Sequence, residues 1–154
     1  MKNVVILSDS HNNYHWTEEF LVVLDECDYI IHLGDGLDEI NFLQSLYKDK
    51  FYYVLGNCDA ISQSKHEFLK INIENVSLML AHGHTFGVKY SLVDYAQFCL
   101  ENDVTVGLFG HTHLPLIEKN GRLTLVNPGS MAYTYSYCYM TICGNKAFQR
   151  IVVC

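Results

Sequence analysis

Val4-Val5-Ile6-Leu7-Ser8-Asp9-Ser10-His11 sets an unbroken apolar, largely β-branched run directly before two side chains that can bind a metal. A run without alternation reads as a strand buried on both faces, as in a sheet covered by helices. Asp9 and His11 then fall where that strand ends, and ligand sites of open α/β sheets lie beyond the carboxyl ends of strands. The same grammar returns along the chain. Tyr29 to Leu33 runs into Gly34-Asp35, and Phe51 to Leu55 into Gly56-Asn57-Cys58-Asp59. Ser77 to Ala81 runs into His82-Gly83-His84, and Val104 to Phe109 into Gly110-His111-Thr112-His113. One such junction carries little weight, but five with oxygen or imidazole donors argue for a shared site on one sheet edge.

Between these junctions, apolar residues at Trp16, Phe20, Val23 and Leu24 give helical spacing over Tyr14 to Asp25. Ile40, Leu43 and Leu46 do the same for Leu37 to Tyr47, so the first half alternates strand and helix in a parallel α/β pattern. The second half changes character. His66 to Ile73 and Val76 to Ala81 flank a Glu74-Asn75 turn and read as a hairpin. Ser91 to Glu101 reads as a helix with Leu92, Tyr95, Ala96 and Cys99 inward. Leu116 to Lys119 and Leu123 to Val126 flank Asn120-Gly121, and Tyr135 to Ile142 and Ala147 to Val153 flank Gly144-Asn145. These late hairpins predict a second, largely antiparallel sheet, packed face to face on the first with helices outside.

At 154 residues, with 49% hydrophobic and 18% charged content, one folded domain over 1–154 is expected. A net charge of -7 repels a phosphate backbone, which disfavours broad nucleic-acid binding and leaves nucleic acid only as a possible substrate. The six cysteines form no CxxC pair and no zinc-finger spacing, so they read as reduced thiols. The start Met1-Lys2-Asn3-Val4 carries no signal-peptide pattern, and no apolar run reaches membrane-spanning length; a cytoplasmic location is expected.

The junction residues Asp9, His11, Asp35, Asn57, His82, His111 and His113 make a mixed set of carboxylates, an amide and imidazoles. Such donors suit manganese, iron, zinc or nickel better than calcium or magnesium. Seven are too many for one ion and fit two if one carboxylate bridges. Paired divalent ions clamp the attacking and leaving oxygens of an in-line displacement and acidify a bound water. They would also make the one welcoming place for a phosphate on an acidic protein.

Asp9-Ser10-His11, Gly34-Asp35-Gly36-Leu37-Asp38, Gly56-Asn57-Cys58-Asp59, His82-Gly83-His84 and Gly110-His111-Thr112-His113 resemble the five ordered blocks of the calcineurin-like metallophosphoesterases. The match is to their small bacterial and archaeal phosphodiesterase branch, with Asn127-Pro128-Gly129-Ser130 matching a further block. The resemblance implies two mixed β-sheets packed as a sandwich flanked by α-helices, a four-layer α/β fold. It implies one ion held by Asp9, His11, Asp35 and His113, and a second by Asp35, Asn57, His82 and His111. A hydroxide between the ions would attack a phosphoester, and the cofactor would be two divalent transition-metal ions, manganese first, with nickel, iron or zinc as alternatives.

Cys58 departs from the wider family, where many members place a proton-donating histidine held by the second aspartate of block two, here Asp38. A thiol is a poor substitute acid, which narrows the expected substrates to small phosphodiesters or esters with good leaving groups. His84 is the remaining candidate for a proton donor or substrate contact. His15, His32 and His66 read as ordinary histidines outside the blocks, and Asp59 as a turn residue as readily as a site residue. Tyr133, Tyr135, Tyr137 and Tyr139 alternate and predict one tyrosine-rich strand face, covered by neighbouring chain or used as a homo-oligomer interface. The competing functional class is a non-catalytic scaffold, since the retromer scaffold subunit resembles this branch. A scaffold has no need of Asp9 and His11.

Overall fold

The computed structural model describes residues 1–59 and 67–154. The opening apolar run is strand β1 (Lys2–Leu7), in which Val4 to Leu7 are fully buried. It lies inside a five-stranded sheet because both faces are apolar: Val4 and Ile6 enter one core, Val5 and Leu7 another. β2 (Tyr29–His32) and β3 (Phe51–Tyr53) follow in parallel, through helices α1 (Glu18–Glu26) and α2 (Leu37–Tyr47). α1 starts at Glu18 rather than Tyr14 because the N–H of Phe20 donates to Thr17 Oγ1 at 3.2 Å, capping the first turn. Tyr14 and Trp16 stay outside the helix and pack their rings on Phe20.

The second sheet comprises β4 (Phe68–Ile73), β5 (Val76–Ala81), β6 (Val106–Leu108), β7 (Leu116–Asn120) and β8 (Leu123–Asn127), in the order β4-β5-β6-β8-β7. Helix α3 (Val93–Glu101) links β5 to β6. The hairpin expected from His66 begins at Phe68, and His66 lies outside the described residues. The sheet is mixed rather than largely antiparallel: β5–β6 and β6–β8 are parallel pairs. The reason lies in the hairpin strands. Leu123, Leu125 and Val126 of β8 are buried, so β8 takes the interior position and the more polar β7 becomes the edge.

The last hairpin, β9 (Ser136–Cys143) and β10 (Lys146–Val153), joins the first sheet instead of the second, giving β10-β9-β1-β2-β3. Most of β9 is buried, which suits a strand flanked on both sides, while β10 alternates exposed and half-buried residues as an edge. The tyrosine series does not form one face. The strand starts at Ser136; Tyr137 packs on Phe20 beneath α1, whereas Tyr133 and Tyr135 precede the strand and are exposed.

The layers run α1 and α2, first sheet, second sheet, α3. Between the sheets lie Val4, Ile6, Ile31 and Leu33 against Leu78, Leu80, Val106 and Leu108. Phe20, Leu24, Ile40 and Leu43 cover the first sheet's outer face, and Tyr95 and Cys99 the second's. Among the described residues, no helix is long and apolar enough to cross a membrane. Within the first sheet Asp9 N–H donates to Gly34 O (3.0 Å) and His11 N–H to Asp35 O (2.7 Å), and within the second Gly110 N–H donates to His82 O (3.0 Å). The two sheets meet at these carboxyl ends, where His82 Nδ1 lies 2.8 Å from Leu33 O and His111 N–H donates to Asp9 Oδ2 at 3.0 Å.

Candidate metal centre

Each junction turns sharply as its strand ends. Asp9 (φ 54°), His11 (φ 52°), Asp35 (φ 59°), His111 (φ 67°) and His113 (φ 62°) all adopt left-handed backbone conformations. Non-glycine residues hold such conformations at a cost of roughly 1–3 kcal/mol each, so surrounding contacts must fix them. The neighbouring glycines make room. A Cβ on Gly110 would collide with Ser8 Oγ and lie 2.7 Å from Asp9 Oδ2, and one on Gly56 would collide with Asp35 Oδ1.

The turns bring six of the seven sequence-selected side chains into two groups, Asp9 with His11 and His113, and Asp35 with His82 and His111. In the first, His113 Nε2 lies 3.2 Å and His11 Nε2 3.7 Å from Asp9 Oδ1, and the two imidazole nitrogens are 3.1 Å apart. In the second, His82 Nε2 lies 3.2 Å from Asp35 Oδ2. The groups adjoin: His82 Nε2 is 3.9 Å from Asp9 Oδ1, and donor atoms of Asp35, His11 and Cys58 also cluster within 4.8 Å. Asp35 thus reaches donors of both groups. Asn57 is exposed on the same loop, and its carboxamide contacts Cys58 Sγ at 3.5 Å.

Fixed hydrogen bonds aim these atoms. Asp9 Oδ2 accepts from Ser8 Oγ (2.6 Å) and His111 N–H (3.0 Å), leaving Oδ1 buried without a hydrogen-bond partner. His82 Nδ1–H donates to Leu33 O at 2.8 Å, which turns its Nε2, also buried and unpartnered, toward the two carboxylates. Each of these two buried atoms has an ion-pair contact, to His113 or Asp35, but no hydrogen bond, an arrangement that is costly without a ligand. A cation there satisfies both, and imidazole with carboxylate is a donor set that divalent transition metals take. The residues fit the metals that the resemblance implies.

The electrostatics agree. Burial disfavours a charge on His82, but its contact with Asp35 and the charges of Asp9 and Asp35 outweigh that and raise its pKa. Burial would raise Asp35, yet the His82 contact and the Cys58 N–H, donating at 2.8 Å, hold its carboxyl well below the usual range. Burial, aided by the charges of His82 and Lys89, lowers His111 to about 4. His111 is therefore a neutral imidazole with a free lone pair at physiological pH.

A matching family model for the calcineurin-like phosphoesterase superfamily domain covers residues 1–145. The chain belongs to that superfamily. It is 30% identical to a probable metallophosphoesterase, YsnB, of Bacillus subtilis, over 96% of this chain and 89% of the relative. It is also 30% identical to the phosphodiesterase YfcE of Escherichia coli, over 86% of this chain and 80% of the relative. The structure of Vacuolar Protein Sorting 29 from Cryptosporidium parvum has the same fold, with a TM-score of 0.83 at 20% identity, covering 97% of this chain and 90% of that one.

Other block residues of this superfamily member have definite places. Asp59 is buried and binds three backbone N–H groups: those of Asp35 (2.8 Å), Gly36 (2.9 Å) and Gly56 (2.7 Å). It locks the second and third junctions together. Asp38 is exposed and is linked through its backbone N–H to Asn12 Oδ1, while the carboxylates whose charges act on Cys58 are Asp35, Asp59 and Asp9. His84 stands beside the second group, 5.4 Å from the His82 ring and 6.0 Å from His111, with its buried Nδ1 unpartnered. His15 is exposed. His32 is wholly buried, with Nε2 3.0 Å from Ser10 Oγ and Nδ1 accepting the Gly34 N–H, so it supports the Asp9 and Asp35 turns from below.

Three supports escaped the sequence reading. Asn127 Nδ2 donates to Gly110 O and Thr112 Oγ1, each at 3.0 Å, and fixes the turn bearing His111 and His113. Ser130 Oγ donates to Asp9 O at 2.7 Å. The Asn127–Ser130 block match was a signal for both. Tyr133 stacks on His113, and nothing in the tyrosine alternation marked it for a separate role.

Proposed function

We propose that this chain is a metal-dependent phosphodiesterase whose centre takes two divalent cations. The observation that carries the reading is the pair of buried, unpartnered atoms, Asp9 Oδ1 and His82 Nε2, that face each other across the two donor groups. Asp9, His11, Asp35 and His113 would hold one cation, and Asp35, Asn57, His82 and His111 the other, with Asp35 shared. When bound, such a pair supplies a nucleophilic water acidified toward neutral pH and neutralises charge on the phosphoryl oxygens.

The chain's own residues set what else can happen. A departing ester oxygen that is basic would need a proton, and the residues beside the donor groups decide whether one is at hand. Burial and the charge of Asp35 push the Cys58 thiol up, so it is a weak acid for that task. His84 stands at the edge of the second group, and burial lowers its pKa, so it is neutral and able to contact substrate. With no strong acid at Cys58, small phosphodiesters and esters with good leaving groups are the substrates favoured. Manganese is the first choice of metal, with nickel, iron or zinc as alternatives. A cytoplasmic setting suits the six free thiols.

The test is hydrolysis of bis-p-nitrophenyl phosphate across a panel of divalent ions, with Asp35→Ala as the control. Metal-dependent turnover lost in Asp35→Ala supports the reading. No turnover with any ion favours the scaffold alternative.

A further inference from the structure

Beside the His111–His113 turn lies an apolar hollow of about 550 Å³ that the chemistry above does not use. Leu92, Leu114 and Leu116 wall it, with Phe109 at its base and Thr112 and Lys89 as its polar members. It adjoins the donor groups through the chain itself: Phe109 precedes Gly110-His111, and Thr112 stands between the two imidazoles. Thr112 Oγ1 is committed, accepting from Asn127 Nδ2 (3.0 Å) and Leu114 N–H (3.2 Å), so the turn separating hollow from centre is preformed. Lys89 is exposed, forms no ion pair among the described residues, and is close enough for its charge to act on His111.

We propose that the hollow is the subsite for one ester substituent of the substrate, an aromatic or other planar apolar group, with Lys89 facing the adjoining phosphodiester anion. This rests on the phosphodiesterase reading of the centre. The size falls within the range of small-molecule pockets, and apolar walls with few polar groups are their usual lining. An uncompensated cation beside an apolar hollow, on a protein of net charge -7, complements a ligand that is both anionic and apolar. Leu114, 67% exposed and lining the hollow, gains cover from such a substituent.

Two diesters with the same leaving group separate this from the chemistry: phenyl p-nitrophenyl phosphate and methyl p-nitrophenyl phosphate. Their retained substituents alone differ. The phenyl diester is expected to show a KM at least ten-fold lower, and Leu114→Asp, whose exposure spares the fold, to shrink that preference at least five-fold. Calorimetric binding of phenyl phosphate against methyl phosphate gives the same comparison without turnover. Equal KM values, equal binding, or a preference untouched by Leu114→Asp overturns the subsite. Loss of turnover on both diesters with the binding preference retained would instead overturn the phosphodiesterase reading alone.

Discussion

Tyr133 lies face to face with His113, ring centroids 5.1 Å apart and planes 14° from parallel, and its other close ring is His11 at 5.5 Å. Ser130 Oγ accepts the Tyr133 N–H at 3.0 Å, so the same serine that anchors the backbone of Asp9 also places the tyrosine. One turn thereby positions three members of the first donor group. Aromatic pairs of this kind are worth about 0.5–1.5 kcal/mol. Tyr133→Ala is expected to weaken cation binding at the Asp9–His11–His113 group by roughly three- to ten-fold on that basis, while Tyr133→Phe retains it. Calorimetric titration of the metal-free protein with manganese would show this as a drop in affinity.

Asp59 joins two junctions through three charged hydrogen bonds, each of a type worth about 1.5–3 kcal/mol. Asp59→Ala strands three N–H groups and is expected to cost at least about 3 kcal/mol in urea unfolding. Asp38→Ala, at an exposed position, should change stability by less than about 0.5 kcal/mol. Equal effects would show that the two aspartates share the structural task.

Cys58→His places an imidazole beside Asp35 and Asp59, the carboxylates whose charges already act on the thiol. Protonated, it can donate to a leaving oxygen, a contribution of about 10²–10⁴ when well positioned. The expected gain is at least ten-fold for esters with poor leaving groups and little for p-nitrophenolate. A series of leaving groups of graded pKa measures it as a flatter dependence of rate on that pKa.

Burial, with the nearby charge of His82, lowers the pKa of His32 from 6.5 to about 3. Between those values the unfolded chain binds a proton that the folded chain refuses. The contribution is therefore fully present above pH 6.5 and is lost as pH falls toward 3, by about 1.4 kcal/mol per unit. His32→Gln should be less stable at pH 7 and should show a shallower fall on acidification. Urea unfolding of the metal-free protein at pH 7, 6 and 5 tests both parts.

The repeated strand-then-donor pattern was legible because its rule is local: a buried strand must be apolar, and the next residue must turn. That located β1, β2, β3, β5 and β6 and all six converging donors. Gly144-Asn145 likewise revealed the β9–β10 hairpin. It could not reveal which sheet would take it, because a turn specifies only its two flanking strands. The partner was β1, with Val5 opposite Tyr139, far away in the chain. Tyr133 was hidden for a related reason. Alternation extrapolated the strand backward through Tyr135, but Tyr135 sits at φ 50°, which breaks the period before Tyr133 is reached. Asp59 offered both readings because a carboxylate in a tight turn and one in a site look alike until the N–H groups around it are known.

The donors are divided between two separately hydrogen-bonded sheets: Asp9, His11 and Asp35 follow strands of one, His82, His111 and His113 strands of the other. Among the described residues no strand pairing joins those sheets. Between the halves pack oily side chains such as Ile6, Ile31, Leu80 and Leu108, none of them a donor. Trimming one of them would let the halves slip by fractions of an ångström. The damage would be read first as misaligned chemistry, in a protein that still folds.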